Sequence, residues 1–191
     1  KLKGKEYYYD KLIYEGEYLN GLKLKGKEYY NGFLIFEGEY LNGKRFKGKE
    51  IKYGFWNKIF EFDFETIDGE IFGKMKEYDD RIGKLIFEGE YLNGKRNGKG
   101  KEYDKYGELI FEGEYVNGKK NGKGKKYNIY GQLEFEGEYL NDKIHGKGNK
   151  YNSIGNLEFE GEFFYGYKKK GKKYIKNKLE FEGDYKKGKK W

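Results

Sequence analysis

Phe111-Glu112-Gly113-Glu114-Tyr115-Val116-Asn117-Gly118 decides how this chain folds. An aromatic, a glycine and a second aromatic stand at alternate positions, with charged residues between them and an Asn-Gly pair directly after. Alternation of period two is the mark of a strand with two unlike faces, and Asn-Gly is a strong short-range signal for a tight hairpin turn. The five-residue core, or a close variant, recurs with its glycine at Gly16, Gly38, Gly89, Gly113, Gly137, Gly161 and Gly183, spaced by 22 or 24 residues except for one gap of 51. Ile59-Phe60-Glu61-Phe62-Asp63-Phe64 fills that gap with a further copy, in which Phe62 stands where the others carry glycine. Eight copies of one short unit predict a repeat architecture.

Each copy reads as two strands. Gly100-Lys101-Glu102-Tyr103 forms one and Leu109 to Tyr115 the next, joined by Asp104-Lys105-Tyr106-Gly107, which has the Asp-first, Gly-fourth composition of a type I turn. In Tyr30-Asn31-Gly32-Phe33 the join is a two-residue hairpin, and Asn20-Gly21, Asn42-Gly43, Asn93-Gly94 and Asn117-Gly118 lead into the following repeat. Links this short leave only antiparallel neighbours. Alternation places Tyr103, Leu109, Phe111, Gly113 and Tyr115 on one packed face, and Gly98, Gly100, Glu102, Ile110, Glu112 and Glu114 on the other. The repeat-packing set is Phe87, Gly89, Tyr91, Phe111, Gly113, Tyr115, Phe135, Gly137 and Tyr139, with glycines leaving room for rings from adjacent strands. The expected fold is all-β, one elongated single-layer antiparallel sheet of about eight tandem β-hairpin repeats, a single array over residues 1–191. The fourth repeat, around 49–78, is irregular: Phe62 and Met75 replace glycines and the link from Glu65 to Gly73 is about two residues longer, which predicts a bend or bulge in preference to a binding notch.

Composition agrees with a sheet held by rings. The chain is 39% charged yet 20% aromatic, with 22 Tyr and 15 Phe. Charge at that level with few aliphatics would leave a chain disordered; the aromatics supply the missing apolar area. No stretch reaches the roughly eighteen apolar residues of a membrane-spanning helix.

The stretch from Phe111 to Gly124 resembles the MORN (membrane occupation and recognition nexus) repeat: aromatic, x, Gly, x, aromatic, two residues, Gly, three residues, Gly, x, Gly. Phe87 to Gly100 and Phe135 to Gly148 are similar, with Asp142 in place of one glycine. Tyr stands where the family often has Trp, and copies one, two, three and eight have a shortened link. The 22-residue copies are similar to a bacterial variant, some members of which are labelled toxin-antitoxin components. The resemblance implies an accessory module that binds a protein or peptide, another copy of itself, or acidic phospholipid, without catalysis, in the cytoplasm or peripherally at a membrane or the cytoskeleton. Regularly spaced aromatics on an extended sheet are expected to present a long aromatic-lined surface to a protein or peptide partner or to a second copy of the chain.

Catalytic and cofactor chemistry find no support. The recurrent Glu-x-Glu pairs lie on a strand face opposite lysines and lack the separated environments of an acid pair working across one cleft. Asn97-Gly98-Lys99-Gly100-Lys101 lacks the Gly-x4-Gly-Lys-Ser/Thr pattern and the helix of a phosphate loop. With no cysteine and one histidine, His145, a metal site or a nucleophile-histidine pair has no material, and His145 reads as a link residue. No cofactor, metal or small-molecule substrate is expected. Charge is asymmetric: residues 165–191, a basic C-terminal cap, hold eleven Lys against three acids, and residues 1–164 balance. Lys168, Lys169, Lys170, Lys172, Lys173, Lys186, Lys187, Lys189 and Lys190 are therefore the candidate anion- or lipid-binding residues, with an anionic membrane surface preferred over nucleic acid as the partner. A solvated, solubilising end is the simpler reading of that cluster.

Overall fold

The structure is a computed structural model describing residues 1–190. It divides into two compact units, Lys1–Gly94 and Lys95 onward. The first is a meander of eight strands: β1 (Leu2–Tyr8), β2 (Lys11–Leu19), β3 (Leu22–Tyr30), β4 (Phe33–Leu41), β5 (Lys44–Tyr53), β6 (Lys58–Ile67), β7 (Glu70–Tyr78) and β8 (Leu85–Leu92). The second runs β9 (Lys95–Tyr103), β10 (Leu109–Val116), β11 (Lys119–Tyr127), β12 (Leu133–Leu140), β13 (Lys143–Tyr151), β14 (Leu157–Phe164), β15 (Tyr167–Ile175), β16 (Lys178–Lys186) and the short β17 (Lys189–Lys190). Within each unit consecutive strands pair antiparallel in one layer, and no helix occurs among the described residues. The chain is all-β and built from tandem hairpins, as its repeats predict.

Turn chemistry sets this path. Asn20 and Gly21 sit at φ 50° and 80°, and Asn117 and Gly118 at 52° and 85°, the left-handed pair that a two-residue hairpin requires. The longer turns are closed from Gly107 N–H to the Asp104 carbonyl at 3.0 Å, while Asp104 Oδ1 accepts the Tyr106 and Glu108 N–H groups. Asn128 and Asn152 repeat this arrangement.

Glycine faces glycine along each unit. Gly4, Gly16, Gly26, Gly38 and Gly48 form one row, and Gly100, Gly113, Gly124, Gly137, Gly148, Gly161, Gly171 and Gly183 the other. Rings lie over these rows. A Cβ on Gly113 would stand 2.7 Å from Gly124 Cα and 2.7 Å from Phe111 Cζ. The core is thus a single file of rings laid on one face: Phe36, Phe87 and Phe159 are fully buried, and Phe111 and Phe135 are 1% exposed.

Two expectations need correction. A β-bulge at Ile110 puts Glu102, not Tyr103, across from Phe111, because Leu109 pairs Tyr103 and Phe111 pairs Glu102. The extra residue reverses the parity, so Gly98, Gly100 and Glu102 join Phe111, Gly113 and Tyr115 on the ring face, while Tyr103 crosses to the face of Glu112. The irregular fourth repeat also differs from its expected form. Gly48 pairs Phe64, not Phe62, so the register slides by two residues, and β6 and β7 then pair from Phe60 to Ile67 without a bulge. The extra link residues become lengthened strand. Phe64 thus takes the row position across from Gly48 and meets Phe36 at 6.0 Å, and Phe62 stacks on Phe64 and overlies Gly73.

Candidate interaction surface

On the ring face, each repeat passes its ring to the next. In the second unit Tyr115 meets Phe111, Phe111 meets Tyr139, Tyr139 meets Phe135, and Phe135 meets Phe163, at centroid distances of 5.2–5.8 Å. The file continues through Phe159 and Tyr185 to Phe181. In the first unit it runs Tyr18, Tyr14, Tyr40, Phe36, Phe64, Phe62, Tyr91, Phe87.

Cations close this file from above. Lys23 lies 4.0 Å from the centre of Tyr14, Lys120 4.0 Å from Phe111, Arg45 4.6 Å from Phe36 and Lys168 4.8 Å from Phe159, each two residues beyond the second turn residue. Carboxylates tie the lids down: Tyr18 donates to Glu6 at 2.7 Å and Lys23 approaches the same carboxylate at 3.0 Å, while Tyr40 and Arg45 converge on Glu28. Burial, then the Glu6 hydrogen bond, push the Tyr18 hydroxyl well above the usual phenol range. The predicted packing residues Phe87, Tyr91, Phe111, Tyr115, Phe135 and Tyr139 are therefore sealed, and they offer no open aromatic groove to a ligand. Sequence reasoning missed the lids, whose signal was a Lys or Arg at one fixed step after the turn.

The reverse face is a chequerboard. Lys5 and Glu15, Lys27 and Glu37, Lys49 and Glu61, and Lys172 and Glu160 pair across strands at 3.3–3.5 Å. Tyr29, Tyr127, Tyr151 and Tyr174 each donate to a neighbouring glutamate at 2.7 Å. The Glu-x-Glu carboxylates are held here by lysines and phenols, and no group of three or more metal-ligating side chains occurs among the described residues. His145 lies at the β13 link beside Phe164 and Tyr165, with its Nδ1 buried and unpartnered.

The candidate lysines are not brought together into one patch. Lys168, Lys173 and Lys190 lie on the ring face, joined to Glu158 or Glu180. Lys170 and Lys172 point the other way, Lys170 opposite Asp184 and Lys172 against Glu160, and Lys169 pairs with Glu162. Lys186 faces Lys189 across the last turn, which holds Lys187.

Exposed apolar residues flank the turns on both edges of each unit: Leu19, Leu22, Leu41 and Ile67 in the first and Val116, Phe164, Tyr165 and Tyr167 in the second border the two-residue turns, and a further set stands at the tips of the hairpins on the opposite edge. Tyr9, Tyr30, Phe33, Phe55, Trp56 and Ile82 stand there in the first unit; Tyr106, Ile129, Tyr130, Ile154 and Ile175 stand there in the second. Tyr106, Tyr130 and Ile154 occupy one turn position, immediately before the glycine, and are 68%, 78% and 73% exposed. Because every second strand joint falls on this edge, successive tips are about 9.5 Å apart.

The family model of the MORN repeat matches residues 14–23, 87–105, 111–127 and 135–156. Each of the four segments contains a ring-glycine-ring run and the two-residue turn that follows it. The copies around Gly38 and Gly161 lie outside the matched segments but keep the same glycine pairing and ring contacts. No curated protein matches the chain.

Proposed function

Because the chain belongs to the MORN-repeat family, whose members serve in contacts with proteins and membranes, we propose that it is a non-catalytic scaffold presenting the hairpin-tip edge of its sheet to a protein or peptide partner. The observation that carries this reading is the periodic row of exposed apolar tips, Tyr106, Tyr130 and Ile154 above all. Turns on a soluble surface ordinarily carry small and polar residues, and the turn geometry here is already satisfied by Asp104, Asn128, Asn152 and the glycines. The side chains of Tyr106, Tyr130 and Ile154 take no part in that turn geometry, whereas apolar contacts at a regular step suit an extended ligand.

The experiment is cross-linking and affinity capture with the whole chain and with a Tyr106→Ser, Tyr130→Ser, Ile154→Ser variant. A partner retained by the first and lost by the second, at unchanged thermal stability, is the expected result. Capture indifferent to the three substitutions would remove the edge from the reading.

A further inference from the structure

The edge opposite the hairpin tips carries a different surface. In the second unit it is formed by the two-residue turns at 117–118, 141–142, 165–166 and 187–188. These turns make one contiguous row. Asp142 N–H donates to the Lys120 carbonyl at 3.0 Å, Gly166 N–H donates to the Ile144 carbonyl at 2.8 Å, and a Cβ on Gly188 would lie 3.5 Å from Tyr167 Cδ1. Two strands separate neighbouring turns, so the step along the row is about 9.5 Å. The third turn departs from the rest. Where Leu41 to Lys44 and Leu92 to Lys95 read Leu-Asn-Gly-Lys, it reads Phe164-Tyr165-Gly166-Tyr167. Phe164, Tyr165 and Tyr167 are 55%, 43% and 61% exposed. Tyr165 holds φ 47°, the left-handed conformation that Asn42, Asn93, Asn117 and Asn141 adopt in other turns and that disfavours a bulky residue. Phe164 at 4.8 Å and His145 at 4.9 Å brace its ring, both edge to face.

Cations stand on both sides of these rings. Lys143 Nζ lies 5.8 Å from the centre of Tyr165, and Lys187 and Lys189 flank Gly188, the turn residue set against Tyr167. Lys119 extends the row beyond Lys143. All four lysines are exposed and joined to no carboxylate among the described residues. Of the acids near this edge only Asp142 stands in a turn, and its carboxylate accepts the Lys120 N–H at 2.9 Å. Those behind it are turned onto the sheet: Glu114 accepts the Lys123 N–H at 3.2 Å, Glu138 is folded against Gly146, and Glu162 pairs with Lys169 at 3.2 Å. A solubilising edge calls for lysines and gives no reason for three rings in place of Leu, Asn and Lys. We propose that this edge binds a single-stranded nucleic acid, its bases stacked on Tyr165 and Tyr167 and its phosphates held by Lys119, Lys143, Lys187 and Lys189. Rings interleaved with cations along a line match a flexible polyanion whose flat units are free to stack. The sequence alone favours an anionic membrane, but these cations form a line where a membrane surface offers a plane. The site shares no residue with the hairpin tips, so either reading can fail without the other.

The test follows the fluorescence anisotropy of a labelled oligothymidylate of about 15 nucleotides titrated with the whole chain. Binding that salt weakens, and that exceeds binding of a duplex of equal length, is expected. Tyr165→Asn with Tyr167→Lys restores the Asn-Gly-Lys turn of the other repeats and adds a cation. Affinity should then fall at least about tenfold while thermal stability is kept or raised. An affinity unchanged or raised by that variant would reduce the contact to charge alone and overturn the proposal. Replacing Lys119, Lys143, Lys187 and Lys189 by Gln should flatten the slope of log affinity against log salt by about 3. An unchanged slope would put the phosphates elsewhere and overturn the site. Absence of binding at low salt, or equal binding of the duplex, would do the same. Phosphatidylserine vesicles bound by the parent and lost with the tyrosine variant, while the oligonucleotide is ignored, would assign the rings to a lipid surface and overturn the nucleic acid.

Discussion

Phe111 meets Tyr139, which belongs to the next hairpin, ring against ring at 5.2 Å. Its own hairpin supplies Tyr115 on the other side, and the following strand supplies Lys120 above it. No hairpin therefore buries its ring alone, and stability in each unit is a property of neighbours. Phe111→Ala is expected to cost about 3–5 kcal/mol, the usual range for deleting a buried ring. The loss should be local: hydrogen exchange should accelerate in β10 to β12 while β14 and β15 keep their protection. Uniform acceleration along the second unit would contradict a nearest-neighbour sheet.

A far smaller change should also be damaging. At Gly113 an added methyl would meet Gly124 Cα, the Lys123 carbonyl and Phe111 Cζ, all at 2.7 Å, and two of these are backbone atoms that cannot step aside. Gly107 has open space around it but sits at φ 93°, so alanine there suffers only conformational strain. Gly113→Ala is expected to lower stability by about 1–3 kcal/mol or more, and Gly107→Ala by less. Urea unfolding of the two variants decides it; equal midpoints would mean that the ring-over-glycine contact is softer than described.

These contacts mark how far the sequence could be read. The Phe-Gly-Tyr strands, the Asn-Gly turns and the packing rings were visible because alternation and turn chemistry are local signals. The bulge at Ile110 was not, because Leu109-Ile110-Phe111 reads equally well as continuous strand, and one extra residue is enough to send Tyr103 to the other face. The slide at Phe62 lies in which residues of neighbouring strands pair, which no local pattern contains. The terminal lysines looked like one patch because they are adjacent in sequence; a strand sends adjacent side chains to opposite faces. The exposed tips were overlooked because turn residues were read for backbone geometry, when their side chains carry the surface.

Acid should loosen the lids. Burial opposes the charge on Glu28, but the hydrogen bonds from Arg45 and Tyr40 and the Arg45 charge outweigh it and hold its pKa below the ordinary value. A folded-state pKa below the unfolded one gives stability that is present above the unfolded value, about 4.3, and is lost as pH falls through the folded value. The melting temperature should fall below about pH 4.3, and Glu28→Gln should fall less steeply over the same window. Parallel slopes for the two proteins would show that Glu28 contributes nothing to the acid transition.

Alkali should act on the reverse face. The hydrogen bond to Glu15, followed by burial, pushes the Tyr29 hydroxyl up to about 12. A raised folded-state pKa means that the contribution is complete below the unfolded phenol value, about 10, and disappears as pH rises through about 12. Phenolate absorbance of the folded chain should appear late, and Tyr29→Phe should remove one late-titrating group. Titration of every tyrosine near pH 10 without unfolding would exclude the phenol-carboxylate bond.

A last prediction follows from a coordinated change within the repeats. Tyr18 and Tyr40 have Glu6 and Glu28 as acceptors, with Lys23 and Arg45 as lids. At Tyr139 the acceptor position holds Lys126, across from Phe135, and the lid position holds Ile144, across from Tyr139. Lys126 turns instead to Glu134 at 2.9 Å, where the earlier copies carry Ile13 and Ile35, and the Tyr139 hydroxyl is buried without a hydrogen-bond partner. Lys126→Glu alone would set a second carboxylate beside Glu134 and should destabilise. Lys126→Glu with Glu134→Ile and Ile144→Lys rebuilds the earlier arrangement, giving Tyr139 an acceptor worth about 1 kcal/mol and Phe135 a covering cation worth about 0.5–1 kcal/mol. Thermal unfolding of the single, double and triple variants should place the triple above the parent and Lys126→Glu below it. A single variant as stable as the triple would mean that the three positions act independently and that their joint change along the chain has no energetic basis.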